Sequence, residues 1–229
     1  MKFKLIYGRS GTGKSTYIYN DIKNKKTDKP IFLIVPEQSN LMTEQNLIEY
    51  TKKNTLMNIE VLTLSRMNTR IEEELGGKLD TKLSKIGKSM LIYNLLSKYK
   101  SKLQFLGKTA KNVDTVGNLI TEFKKHNISP EDIKALKPEN KYQEIKLQDI
   151  LFLYEAYENE LSNKLIDEND KLNIMAKKLD DSKLLDNAYI YIDDFQGFTE
   201  QEFKVVSKIM DKCLFCEALK IIYIYICII

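Results

Sequence analysis

Residues Lys4–Thr16 read KLIYGRSGTGKST. A short stretch with strand character, Phe3, Leu5, Ile6 and Tyr7, leads into Gly8-Arg9-Ser10-Gly11-Thr12-Gly13-Lys14-Ser15, and Thr16 carries on into a helix. The pattern is G-x-x-x-x-G-K-[ST], that of a phosphate-binding loop. Glycines let the backbone turn so that successive N–H groups face one phosphate, and the helix that follows adds its positive end. On this reading residues Gly8 to Thr16 bind nucleotide. Lys14 reaches the β/γ-phosphates and the Ser15 hydroxyl ligates Mg²⁺. The plainer reading is a glycine turn before an exposed lysine. The strand in front and the helix behind favour the phosphate loop.

The next segments repeat the strand-then-helix alternation. IFLIV at 31–35 is a continuous apolar run, the mark of a parallel strand covered on both faces, and Pro36 ends it. Ser39 is placed to cap a helix running to about Lys53. IEVLTL at 59–64 reads as a third strand, followed by a helix that Gly76-Gly77 stops. From Leu79 to about Leu185 the periodicity is helical throughout. Ile86, Met90, Tyr93 and Leu96 share one spacing, and Val116, Leu119, Ile120 and Phe123 another. Ser129-Pro130-Glu131-Asp132 is a strong helix start. A long helix from Tyr142 carries Tyr154 and Tyr157, read as core residues in preference to stacking platforms for single-stranded DNA.

Strand character returns at AYIYI, 188–192, which ends in Asp193-Asp194. A phosphate-loop protein needs such a second element. Asp193 would hold Mg²⁺ beside Ser15, and Asp194 stands where a general base for the attacking water belongs. The long interval between Lys14 and Asp193 accommodates the helical block. The expected fold is therefore α/β: a RecA-like P-loop NTPase with a parallel sheet, 1–78 and 186–212, interrupted by an all-helical inserted domain, 79–185.

Bulk properties agree with a globular chain. Of 229 residues, 43% are apolar and 30% charged, with a net charge of +4, which permits a nucleic-acid surface without arguing for one. No apolar run is long enough to span a membrane and no signal peptide precedes the first strand, so a cytoplasmic location is expected. Cys213, Cys216 and Cys227 stand with a single histidine, His126, too few ligands for a cysteine metal site. Free thiols and no iron–sulfur cluster are expected. Ile221–Ile229 is wholly apolar or aromatic, so 213–229 is expected to be an atypical, aggregation-prone tail, the mark of a truncated or frame-shifted product, in preference to a genuine buried last strand.

Four stretches together carry a family resemblance: GRSGTGKST at 8–16, VPEQ at 35–38, VLTLSRM at 61–67 and YIDDFQGFTEQEF at 191–203. They resemble the N-terminus of the AddB family, the B subunits of the bacterial ATP-dependent helicase/deoxyribonuclease AddAB, and more distantly domains 1A and 1B of UvrD/Rep-like helicases. The resemblance implies ATP and Mg²⁺ as ligands, DNA and an AddA-type helicase/nuclease subunit as partners, and a role in double-strand break repair and recombination. Lys14 and Ser15 match the phosphate and Mg²⁺ positions and Asp193 the Walker-B acid. Gln38 and Arg66 fall in motifs near nucleotide or DNA. Two other readings are a stand-alone P-loop kinase or phosphotransferase, and a non-catalytic DNA-binding scaffold. With Arg9, Arg66 and Arg70 as its only arginines, the chain is expected to be a weak ATPase at most.

Overall fold

The computed structural model describes residues 2–51, 58–76, 81–106, 112–161, 165–213 and 215–221. They form two compact units. One comprises Met1–Gly77, Leu172–Phe198 and Glu202–Ile229; the other comprises Lys78–Lys171 and Thr199–Gln201.

The first unit is built on a sheet of strands β1 (Lys2–Gly8), β2 (Ile31–Ile34), β3 (Ile59–Leu62), β6 (Tyr189–Ile192) and β7 (Phe215–Ile221), in the order β1-β7-β6-β2-β3. Every neighbouring pair is parallel. Parallel strands are covered on both sides, which is why β2 is an unbroken apolar run with all four residues buried. Its side chains alternate between two cores. Ile31 and Leu33 join Tyr191 and Val61 under helices α1 (Lys14–Asn24) and α2 (Asn40–Thr51), through Ile18, Ile22 and Leu47. Phe32 and Ile34 join Ile190 and Ile192 on the opposite face. There α3 (Leu64–Leu75), α8 (Lys171–Lys178) and α9 (Glu200–Lys212) contribute Met67, Ile71, Met175, Val205 and Ile209. Thr63 caps α3 by accepting from the Arg66 N–H, and Gly76, at φ 60°, ends it in the left-handed region.

Two expectations change here. The helical block expected over 79–185 does not hold through 172–185, where Met175, Ala176, Leu179 and Leu185 are buried in the sheet's own core. The reading of 213–229 as an atypical tail is corrected over 215–221. That stretch is β7, paired with β1 through Phe3↔Cys216 and with β6 through Ile190↔Cys216. Its sequence, FCEALKI, carries Glu217 and Lys220, so no unbroken apolar run marks it as an interior strand, and its pairing with both neighbours alone reveals its place. Residues 222–229, with Cys227, lie outside the described residues. Cys213 and Cys216 are both buried.

The second unit packs α4 (Lys85–Lys98), α5 (Asn112–Lys125), α6 (Pro130–Lys134) and α7 (Lys141–Leu161) around Ile92, Leu95, Val116, Ile120, Ile133, Leu153 and Tyr157. It is not all helical. Strands β4 (Thr81–Leu83) and β5 (Leu165–Asp167) form a parallel pair, with Thr81 opposite Leu165. Three residues are too few to show a period, so these strands leave no sequence signal. The spacing Ile86, Met90, Tyr93 marks the outer face of α4, where Ile86 is 74% exposed, and the buried face runs through Lys88, Ile92, Leu95 and Leu96. Ser129 and Asp132 close a full capping box at the start of α6.

Buried charges tie this unit together. The Asp167 carboxylate accepts from the Tyr157 hydroxyl at 2.7 Å and the Lys88 ammonium at 3.2 Å. Lys124, also buried, reaches Asp170 at 2.7 Å and Glu158 at 2.8 Å. Among the described residues no helix is long and apolar enough to cross a membrane.

Candidate nucleotide-binding site

The glycine-rich loop joins β1 to α1. Gly11 and Gly13 stand at φ 77° and 81°, in the left-handed region that side chains disfavour. Gly8 is needed for a different reason. A Cβ there would sit 2.9 Å from the Thr12 hydroxyl, which itself donates to the Arg9 carbonyl at 2.9 Å. The loop thus closes on itself, and the Thr12 hydroxyl crowds the place a methyl group would take. The Lys14 ammonium folds back over this turn and donates to the carbonyls of Gly8 at 3.0 Å and Arg9 at 2.7 Å.

Facing the loop is the end of β6. The Asp193 N–H donates to the Ile34 carbonyl at 3.0 Å, which extends the pairing with β2 by one residue and fixes the Asp193 side chain. That carboxylate is buried. Burial pushes its pKa up. The Ser15 hydroxyl, the Asp194 N–H and the Lys14 charge act in the opposite direction, while the Asp194 charge adds to the rise. Asp194 adopts φ 65°, a left-handed conformation that an aspartate tolerates better than most residues. Its N–H donates to Asp193 Oδ1 at 2.7 Å, and its carboxylate receives the Ser39 hydroxyl.

A cavity of about 320 Å³ lies between these elements, lined by Ser10, Gly11, Gly13, Lys14, Ser15, Thr16, Asp193, Asp194 and Phe195. Most of the residues singled out in the sequence therefore meet at one place, while Gly8, Arg9 and Thr12 belong to the loop but are not among the residues that line the cavity. Gln38 lies on an exposed single turn of 3₁₀ helix, Glu37–Ser39, and does not line the cavity. The side chain of Arg66 pairs with Glu44 at 2.8 Å. Two further participants have no role that the sequence assigns. Phe195 forms a wall and stacks on Phe198 at 4.8 Å between ring centroids. Ser39 has the residue type of a helix cap, but it is the last residue of a 3₁₀ turn that runs straight into α2, and its hydroxyl is directed to Asp194. Both residues sit in or beside the quoted motifs, so the signal is present in sequence without a geometry to interpret it.

A parallel sheet, a glycine loop opening the first helix and an acidic strand end across from it define an α/β protein with a cavity between loop and strand end. The chain belongs to the family described as "ADDB, N-terminal", which matches residues 5–219. Similar proteins are named as the B subunit of an ATP-dependent helicase/deoxyribonuclease. The one from Clostridium tetani (strain Massachusetts / E88) is 40% identical over 93% of this chain and 19% of its own length. Those of Clostridium botulinum (strain Hall) and Acetivibrio thermocellus are 39% and 37% identical over the same shares. The chain thus spans about a fifth of the length of these relatives. The family match runs through most of β7, in keeping with that strand's place inside the sheet.

Proposed function

We propose that this chain is the ATP- and Mg²⁺-binding, helicase-like N-terminal portion of a helicase–nuclease B subunit. It would act on DNA with an AddA-type partner in double-strand break repair and recombination. Its sheet corresponds to a RecA-like core and its second unit to an inserted domain. The observation that carries the reading is the convergence of Lys14, Ser15 and Asp193 on one cavity.

The residues fit the ligand. An ammonium held by two neutral carbonyls exchanges them readily for phosphate oxygens, because hydrogen bonds to an ionised acceptor are about twice as strong. Ser15 and Asp193, whose side chains both line the cavity, form the hydroxyl–carboxylate pair that would hold Mg²⁺. A bound Mg²⁺–nucleotide supplies an activated γ-phosphate, and Asp194 would take a proton from an attacking water. Turnover is expected to be slow. Arg66 and Arg70 are paired with Glu44 and Glu60, and no arginine is among the residues that line the cavity. The Ser39–Asp194 contact gives specific support to a second reading, a module that binds nucleotide without hydrolysing it.

Titration of the chain with a fluorescent ATP analogue and Mg²⁺ tests the site. Lys14→Ala should abolish binding, and equal affinity in the two proteins would refute the assignment. Assays of ATPase, strand displacement and end resection on a blunt duplex should then show nucleotide binding without unwinding or cutting.

A further inference from the structure

Helix α4 carries apolar side chains on two faces. Ile92, Leu95 and Leu96 belong to the core of the second unit. Ile86, Met90 and Tyr93 follow the i, i+4, i+7 spacing of a single helical stripe, yet they point outward and are 74%, 62% and 51% exposed. The inner face, in contrast, takes in a charge. Lys88 is buried there and donates to the Thr121 hydroxyl at 2.8 Å and the Asp167 carboxylate at 3.2 Å. A helix packed on one side keeps its polar residues for solvent, and α4 reverses that order. Single exposed apolar residues need no explanation, but a row of them with a polar rim marks a contact surface.

The rim has one sign. Residues 81–106, which hold α4 and the chain at both its ends, contain no aspartate or glutamate. They carry Lys82, Lys85, Lys98, Lys100 and Lys102, all exposed. From α7, Glu160 answers Lys98 at 3.7 Å.

We propose that the outer face of α4 docks an amphipathic helix of a protein partner, with an apolar stripe flanked by carboxylates. Spacing sets the shape of the occupant, because apolar residues alternating three and four apart are what one helix presents to another. Charge sets its flanks. A second copy of this chain meets the surface badly. Two α4 helices related by a two-fold axis would bring one segment without acids against another. A lipid surface accepts lysines, but three side chains on a helix already held in a bundle bury too little to keep a protein there. The chain spans about a fifth of the length of its relatives, so such proteins have ample polypeptide beyond this region to supply the helix. The surface lies within the second unit and does not depend on the nucleotide reading.

The experiment is fluorescence anisotropy of the 229-residue chain with two labelled helical peptides, each used where it is monomeric. Both carry leucine along one stripe; one flanks it with glutamate and the other with lysine. The glutamate-flanked peptide should bind, and the lysine-flanked one should bind at least about tenfold more weakly. Ile86→Asp and Met90→Asp change only the exposed stripe. Each should weaken binding by about tenfold with an unchanged circular dichroism spectrum. Lys85→Glu should shift the preference toward the lysine-flanked peptide, a reversal that general loss of the fold does not produce. Lys14→Ala should leave peptide binding unchanged, so failure of the nucleotide site and failure of this surface are told apart. Sedimentation of the chain alone, and mixing with phosphatidylglycerol vesicles, read the other two occupants. The proposal is overturned by no binding of the glutamate-flanked peptide, by equal binding of the two peptides, or by binding indifferent to Ile86→Asp and Met90→Asp. Self-association or vesicle binding that these two substitutions abolish would overturn it as well.

Discussion

The hydroxyl of Ser39 donates to Oδ2 of Asp194, a residue 155 positions further along the chain. Ser39 closes the turn after β2 and Asp194 follows the end of β6, and those strands are neighbours in the sheet. The contact holds the carboxylate at the cavity wall and supports an aspartate in a left-handed conformation. Ser39→Ala should cost about 0.5–1.5 kcal/mol of stability, the usual worth of one hydrogen bond. It should also leave Lys14-dependent nucleotide affinity within about twofold, since Ser39 touches no phosphate-loop residue. Thermal denaturation and analogue titration read the two effects, and a large loss of affinity at unchanged melting temperature would contradict this role.

Gly8→Ala makes the reverse distinction. The added methyl would lie 2.9 Å from the Thr12 hydroxyl, so the loop must open to accept it. We expect nucleotide affinity to fall by at least about tenfold with a stability loss near 1 kcal/mol. An alanine variant that binds the analogue normally would show that the loop is looser than its hydrogen bonds indicate.

Asp193 is held at a cost. Burial raises its folded-state pKa above the ordinary carboxylate value. A raised folded pKa means a contribution that is fully favourable below the unfolded pKa and is lost as pH rises through the folded one. At neutral pH the ionised Asp193 therefore works against the nucleotide-free fold. Asp193→Asn should raise the melting temperature at pH 7 without nucleotide and weaken Mg²⁺-dependent nucleotide binding. Its stabilising effect should shrink on acidification. A lower melting temperature at pH 7 would refute this assignment of cost.

Asp167 behaves oppositely. Burial would raise its pKa, but the Asn169 N–H, the Tyr157 hydroxyl and the charges of Lys88 and Lys124 together hold it below the usual carboxylate range. A depressed folded pKa gives stability that is present above the unfolded value and disappears as pH falls through the folded one. Asp167→Ala leaves Lys88 buried without its carboxylate and should cost about 3–5 kcal/mol at pH 7. The gap between the two proteins should narrow below about pH 4, as the wild-type carboxylate titrates. Denaturant unfolding at pH 7 and pH 3 measures both, and a gap independent of pH would exclude the ionised carboxylate as the source.

Deleting residues 213–229 tests the sheet. Removing β7 takes away the partner of β1 and one neighbour of β6. Loss of cooperative unfolding, seen by circular dichroism with size exclusion, is the expected outcome. A folded, more soluble monomer would restore the reading of this segment as a dispensable tail.

The parts legible in sequence are those where local chemistry leaves one solution. The glycine loop, the apolar run of β2 and the capping box at Ser129 each announce their geometry through residue type. Helical spacing places Ile86, Met90 and Tyr93 on one face of α4 but does not say which face is buried, because the polar Lys88 lies on the inner side. Its burial is explained by partners distant in sequence, Thr121 at 2.8 Å and Asp167 at 3.2 Å. β7 misleads for a related reason. The apolar run that starts at Ile221 draws the eye as a liability, whereas β7 itself carries Glu217 and Lys220 and so lacks the unbroken apolar run of β2, and only the strand order reveals it as an interior strand. Ser39 looks like a cap because its partner is distant in sequence.

The strand order also sets a schedule. β1, which presents the phosphate loop, pairs among the described residues with β7 alone, so Lys2 meets Phe215 across nearly the whole length of the chain. Contacts of such separation form late, because the intervening chain must be ordered first. On the ribosome, β1 is made well before β7, its partner among the described residues. The nucleotide cradle then completes at the end of synthesis of this region, and binding of an ATP analogue to nascent chains of increasing length would begin abruptly once β7 clears the exit tunnel.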